Sequence, residues 1–352
     1  MRIGVPRELK PLEGRVGLIP AACAELVRAG HEVFVEKNSG VLSGYSDDHF
    51  SAVGVKILDT AEEIYGTAEM VVKVKEPIAD DLKYLRKDHL LFCYLHLAAL
   101  PELTQSLCDI GLTAVAFETV EDQHGRLPLL APMSDIAGRL SIQVATHLLH
   151  QPQGGKGILL GGVPAAKRGK VVVLGGGVAG GNAAIVAAGL GAEVIVFDMD
   201  RDKLERARGL GANVTGLYPH TEDVANAVRY ADIVVGAVLV TGARAPHVVS
   251  AEMVRSMQAG SVVVDISVDQ GGCVETTRPT TYADPTYVWE GVTHFTVTNM
   301  PGAVPRTSSQ ALSAAIAPYA MRLTSTDWRQ SEDLQKGINV EAGEVVHPAL
   351  FK

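Results

Sequence analysis

The chain has 352 residues, more than one hydrophobic core usually serves, so its length favours two domains. Its 47% hydrophobic and 20% charged content is that of a globular enzyme; a net charge of −9, with no block of Lys or Arg, argues against nucleic acid or an anionic membrane as partner. The four cysteines, Cys23, Cys93, Cys108 and Cys273, lack CxxC or Cys/His spacing, which argues against zinc and against a disulfide framework.

The opening MRIGVPRELK has no apolar signal-peptide core, and the uncharged run from Val171 to Ala192 is broken by glycines, so neither reads as a membrane segment. The expectation is a cytoplasmic protein. Over residues 1–126, the runs IGV, EVFVE, MVVKV, LLFCYL and TAVAFE alternate with helical stretches such as Ala21–Ala29 and Pro101–Asp109. That rhythm predicts a mostly parallel sheet covered by helices. Next, Ile136, Leu140, Val144 and Leu148 recur every four residues in a long helix that Ser134 or Asp135 could cap. The Gly/Pro-rich QPQGGKGILLGGVPAAKRGK after it reads as a loop or flap.

The stretch Lys170–Asp198 is the most informative. The strand VVVL enters Gly175-x-Gly177-x-x-Gly180, a small-residue helix follows, and VIVF ends at Asp198. Gly175 permits the tight turn, Gly177 the approach of a pyrophosphate, and Gly180 close helix packing; phosphates would sit on the amides at the helix start. An acid at the end of the second strand accepts the adenosine ribose hydroxyls and repels a 2′-phosphate, so Asp198 points to NAD rather than NADP. IVVGAV, VVVDIS and a last strand near Phe295–Thr298 continue the sheet, and the helix Gln310–Leu323 is expected to return to the first domain. The fold class is therefore α/β, with two doubly wound, Rossmann-like domains, the second inserted in the first. Boundaries are placed at 1–126 plus 306–352 for a substrate domain and 127–305 for a dinucleotide domain.

A dinucleotide domain beside a second domain implies hydride transfer, which needs a substrate anchor and an acid/base. Arg15, in KPLEGR, offers a fork that matches a carboxylate, although alone it reads more readily as a solvated loop residue. Lys73 and Lys75 in MVVKVKEP fall on one strand face, and Lys75, next to the Pro77 turn, is better placed to emerge at a ligand; an edge strand with two solvated lysines is the alternative. His96 ends an apolar strand, where ligands of open α/β sheets bind, and its intrinsic acidity suits proton transfer; a core histidine is the alternative. His89 is at the wrong end of that run. Asp269 lies past VVVDIS before two glycines, as a partner for the imidazole or as a turn aspartate, while Asp265 lies within the apolar run.

Through MRIGVPRE, KPLEGRVGLIP, VVKVKEP, YLHLAA, APMSDIAGRLS, GGVP, VVVLGGGVAG, DISVDQGG, RPTTY and TNMPGAVPRTSS, the whole chain resembles the bacterial-type, NAD-dependent alanine dehydrogenases of the alanine dehydrogenase/transhydrogenase domain I family. The resemblance implies reversible oxidative deamination of L-alanine to pyruvate and ammonium. It implies that Arg15 and Lys75 hold the substrate, that His96 is the acid/base and that Asp269 is its catalytic partner. It places NAD contacts at Ser134, Gly175, Gly177, Val178, Ala179, Gly180, Asp198, Lys203, His220, Val238, Leu239, Ile266, Ser267, Val268, Asp269, Arg278, Val297, Thr298, Asn299 and Met300, with no metal. His220 departs from the family's small polar residue, and Ala165–Ala166 replaces a glycine of the family's GGVPG flap. The family is typically hexameric, so a homo-oligomer is implied. The alternatives are a transhydrogenase domain I-like NAD(H)-binding subunit, a saccharopine- or lysine-type dehydrogenase, and a non-catalytic NAD-binding protein.

Overall fold

The computed structural model describes residues 1–238 and 246–351. They fall into two compact units, Met1–Met133 with Val304–Lys352, and Ser134–Ala303. In the first unit, β1 (Arg2–Val5), β2 (Glu32–Glu36), β3 (Lys56–Leu58), β4 (Met70–Val72), β5 (Leu90–Cys93) and β6 (Thr113–Ala116) run parallel in the order β3-β2-β1-β4-β5-β6. Strands covered on both faces need apolar residues throughout, and all of Met70–Val72 and Leu90–Cys93 is buried. MVVKV is therefore not one strand: β4 stops at Val72, and the two lysines lie beyond its end.

The second unit contains β7 (Lys170–Leu174), β8 (Glu193–Phe197), β9 (Val214–Leu217), β10 (Ile233–Gly236), β11 (Val262–Asp265), β12 (Thr286–Trp289) and β13 (Val292–Phe295). Its parallel strands take the same winding, β9-β8-β7-β10-β11-β13, with β12 antiparallel at the edge. The last parallel strand lies three residues before the expected Phe295–Thr298. Glu290 and Gly291, at φ of 48° and 80°, make a two-residue hairpin turn that pairs Trp289 with Val292, so the ladder closes earlier. Ala183, Ala184 and Ala187 of the helix Val178–Gly189 share a buried core with Val171, Val173, Val194 and Val196. Small residues let that helix lie close to the strands.

The long helix spans Ala131–Leu148, and the helix expected from Gln310 starts earlier, at Pro305, because proline suits a first helical position; it ends at Leu323. The chain then adds β14 (Ile338–Glu341), antiparallel to β6, and β15 (Glu344–Val345) to the first sheet. These two short strands, like β3 and β9, carry too little periodicity to stand out in the sequence. Among the described residues no helix is long and apolar enough to cross a membrane.

Candidate active site

In open α/β sheets ligands bind beyond the carboxyl ends of the strands, at the point where the strand order reverses. In the first unit that point lies between β1 and β4. The chain beyond these strands and their neighbours carries the charged residues: Glu8, Glu13 and Arg15 after β1, Lys73, Lys75 and Glu76 after β4, His96 after β5, and Glu118 after β6.

Arg15 is 3% exposed. Its guanidinium is held side-on by Glu13, with Nε donating to Oε1 at 2.6 Å and Nη2 to Oε2 at 2.5 Å, while Nη1 lies 3.2 Å from Met133 Sδ. Burial alone would ease its deprotonation, but Glu13 outweighs burial and keeps the guanidinium charged. The loop that carries it is fixed by buried serines of the helix Pro305–Leu323. Val16 N–H donates to Ser309 Oγ at 3.0 Å and Ile19 N–H to Ser313 Oγ at 2.9 Å. The fork expected to grip a substrate thus already grips Glu13 along one edge.

The two lysines separate. Lys73 is 1% exposed, with Nζ 3.4 Å from Asp81 and 3.6 Å from Glu8. Asp81 also accepts from Tyr65 at 2.7 Å and Glu8 from Val74 N–H at 2.6 Å, so Lys73 belongs to a buried structural network. Lys75 is half-buried and makes no ion pair among the described residues. Burial, then the nearby Arg15, pushes its ammonium below the usual lysine range, against the pull of Glu76 and Glu13. Glu76 pairs with Lys10. Burial would raise its carboxyl, but Lys10 and Lys75 outweigh that and hold it below the usual range.

His96 sits three residues past β5 in the left-handed region, at φ 53°. A bulky residue there is strained by ~1 kcal/mol or more and persists only where its surroundings impose it. Glu118 imposes it: its carboxylate accepts from His96 N–H at 2.6 Å and from Leu95 N–H at 3.1 Å, and lies 3.9 Å from Nδ1. The imidazole stacks on Tyr94, with centroids 5.8 Å apart and planes 6° apart. Tyr94 is itself fixed by its hydroxyl, which donates to Leu129 C=O at 2.7 Å, and burial pushes its phenol well up, so it stays neutral. The His96 side chain is 38% exposed, so it is not a sealed core histidine. His89, by contrast, is buried between Arg86 N–H and Tyr65 C=O.

In the second unit the fingerprint has the geometry a pyrophosphate requires. Gly175 is at φ 94°, and a Cβ on Gly180 would lie 1.8 Å from Gly175 O. The helix begins at Val178 with no side-chain cap at Gly177, leaving its first amides to a ligand. A Cβ on Gly138 would come 2.0 Å from Ala179 O, so the helix Ala131–Leu148 also packs tightly on this turn; Asn182 donates to Asp135 at 2.6 Å beside it. Asp198 accepts from Gly176 N–H at 2.7 Å and from Asp200 N–H at 2.8 Å, with Lys203 Nζ at 3.6 Å. A carboxylate has about four acceptor positions, so capacity for ribose hydroxyls remains. These residues fit a dinucleotide.

Asp265, at the end of β11, is buried and organises the turn that carries Asp269. It accepts from Ser267, Cys273 and Val274 N–H at 3.0, 3.0 and 3.2 Å and from Thr277 Oγ1 at 2.8 Å. Burial pushes its carboxyl up, against these bonds. Asp269 is exposed on that turn, Ile266 is half-buried, and Ser267 and Val268 are buried. Arg278 is exposed over the Tyr287 ring, 4.3 Å from its centroid. Val297 and Met300 are buried and Thr298 exposed; Asn299 is half-buried, and Met300 C=O accepts from Tyr282 at 2.7 Å. Ser134 and Val238 are half-buried, and His220 is exposed at the start of a helix. Leu239 lies outside the described residues.

Sequence reasoning missed Glu13, Glu118, Tyr94 and Glu76. Glu118 obeys the strand-end argument that selected His96, and Glu13 stands two residues from Arg15, so both were within reach of that argument.

Residues 4–137 match the family described as alanine dehydrogenase/PNT, N-terminal domain, and residues 141–348 its C-terminal domain. The chain is 48% identical to the alanine dehydrogenase of Geobacillus stearothermophilus, over 99% of this chain and 95% of that one. It is 46% identical to that of Bacillus subtilis, over 100% and 94%. Among solved structures, an L-alanine dehydrogenase superposes with a TM-score of 0.96 at 49% identity, covering 99% of this chain and 98% of that one. A transhydrogenase from Sinorhizobium meliloti superposes at 0.85 with 24% identity, over 99% and 100%, which speaks for the shared fold alone.

Proposed function

The chain belongs to the alanine dehydrogenase/PNT family, and from that we infer that it is an NAD-dependent alanine dehydrogenase, catalysing the reversible oxidative deamination of L-alanine to pyruvate and ammonium. What carries the reading, beyond kinship, is the charge arrangement of the first unit. Arg15 lies near enough to depress the Lys75 ammonium, Glu76 feels both Lys75 and His96, and the part-exposed His96 ring stacks on Tyr94, which in turn acts on Arg15. A protein that only exchanged hydride between nucleotides would not need a small-carboxylate anchor there.

NAD, held by the Gly175–Gly180 turn and Asp198, supplies the acceptor for the Cα hydride. Arg15 and Lys75 bind the carboxylate and carbonyl oxygens and fix the substrate's orientation, a gain in effective concentration worth up to several kcal/mol. His96 takes a proton from the water that adds to the imino carbon and returns it as the C–N bond breaks, a contribution of ~10²–10⁴-fold. Asp269 is its catalytic partner. Ser134, Val178, Ala179, Lys203, His220, Val238, Leu239, the 266–269 turn, Arg278 and Val297–Met300 complete the dinucleotide contacts. The first unit, a few residues wider than the expected 1–126 plus 306–352, serves as substrate domain and the second, a few residues narrower than 127–305, as dinucleotide domain of a cytoplasmic hexamer.

The test is direct. Protein, NADH, ammonium and pyruvate together should give loss of the nicotinamide absorbance, and omitting either ammonium or pyruvate should abolish it. Hydride exchange between nicotinamide nucleotides with no requirement for pyruvate would select the transhydrogenase-like alternative.

A further inference from the structure

We propose that Glu13 is the positioning residue of the substrate site: it fixes the guanidinium of Arg15 along one edge, so that a substrate carboxylate meets it in one orientation, and it sets a buried negative charge against one of the site's two cations. The proposal rests on Arg15 and Lys75 being the substrate anchors. Its geometry is independent of that reading. Glu13 and Arg15 side chains are 0% and 2% exposed, and the pair is bidentate within a two-residue hop of the chain.

A surface arginine reaching for a substrate would lose side-chain entropy on binding; one already clamped does not. The backbone beneath is clamped as well. Ser43 Oγ donates to Gly14 C=O at 2.7 Å and lies 2.8 Å from Ser309 Oγ, which receives Val16 N–H. A Cβ on Gly17 would sit 3.1 Å from Val72 O, so the loop lies against the end of β4, from which Lys75 follows. The buried Arg15 and the half-buried Lys75 repel, and the buried carboxylate of Glu13, paired with Arg15, offsets one of the two charges. The charged groups acting on Lys75 are Arg15 and Lys10, which oppose its ammonium form, and Glu76 and Glu13, which favour it.

A merely structural carboxylate and a positioning one differ in what their loss does to pH dependence. Lys75 binds a carboxylate only as the ammonium, so pyruvate affinity is lost as pH rises through its lowered pKa. Removing the Glu13 charge lowers that pKa further and moves the alkaline limb toward neutrality.

The experiment titrates pyruvate into the enzyme–NADH complex without ammonium, following NADH fluorescence from pH 6.5 to 10. Glu13→Gln should weaken pyruvate by ~10-fold or more, leave NADH affinity within about twofold, and shift the alkaline limb to lower pH. Glu13→Asp, which keeps the charge but retracts it, should weaken pyruvate without moving the limb. An equal loss at every pH in Glu13→Gln, or no loss, overturns the proposal. Arg15→Lys separates the layers: unchanged pyruvate affinity there sinks the anchor reading, whereas loss there with wild-type behaviour in Glu13→Gln sinks only the role of Glu13. If Glu13→Gln does not fold, Glu13→Asp decides by its pyruvate affinity. Failure of both to fold makes Glu13 a framework residue and overturns the proposal.

Discussion

The two sheets share one winding, and the chain that leaves the first strand of each does opposite things. After β7 it turns within four residues, through glycine, into a helix whose amides are open to a ligand. After β1 the helix does not begin until Pro20, and the intervening loop carries Glu8, Glu13 and Arg15. One turn leaves backbone N–H groups uncapped, as a pyrophosphate requires; the other carries a buried carboxylate–guanidinium pair, as the proposed small-carboxylate substrate requires. Topology decides where a ligand binds, and the residues of the first strand-to-helix connection decide which ligand it is.

If that division holds, lesions in the first unit should damage turnover and spare nucleotide binding, and lesions in the second should do the reverse. The largest effect is expected at His96. His96→Ala should lower turnover by ~10²-fold or more while NADH still binds as in the wild type. Wild-type-like turnover would remove it as the proton carrier, and loss of NADH binding would blur the comparison itself.

Next comes Gly180→Ala. The added methyl must occupy space 1.8 Å from Gly175 O, and neither backbone segment can move away without opening the turn. NADH affinity should fall by ~10-fold or more, with little change in pyruvate affinity once NADH is saturating. Retained affinity would mean that the helix relaxes at this point. Asp198→Ala should have a smaller effect, reducing the preference for NAD over NADP by about tenfold. Undiminished exclusion of NADP would place discrimination elsewhere.

How much of this was legible beforehand follows from the same contrast. The dinucleotide turn was readable because its function lies in the backbone, and a backbone requirement leaves glycines at fixed spacing. The substrate site was only partly readable because its function lies in side-chain pairs whose members come from different strand ends. Lys75 is the better placed of the two lysines in MVVKVKEP, but what draws Lys73 into a buried network is Glu8 and Asp81, which come from other loops and leave no mark in that run. Arg15 was recognisable as a cation, but not as a cation already gripped by Glu13. Short strands with weak patterns, β14 and β15 above all, escaped because their pairing to β6 is a long-range choice.

Left-handed residues offer the finest test of the contrast. In the nucleotide turn the left-handed position is filled by Gly175, which is unstrained there. At His96 it is filled by a bulky residue, and Glu118 takes two amides to hold it. Ala165, in the flap before β7, has φ 72° and neither solution: it lacks glycine's freedom, and what closes the turn is Ala166 N–H donating to Val163 C=O at 2.8 Å. Relief of a left-handed alanine is worth ~1–2 kcal/mol, and the extra freedom of glycine in the unfolded chain takes back roughly 0.5–1 kcal/mol. Ala165→Gly should therefore stabilise the second unit by about 0.5 kcal/mol, raising its Tm by roughly 1–2 °C in a thermal melt. A lowered Tm would mean that entropy outweighs strain at this turn, and that the alanine is favoured for a stiffer flap rather than tolerated in spite of its φ.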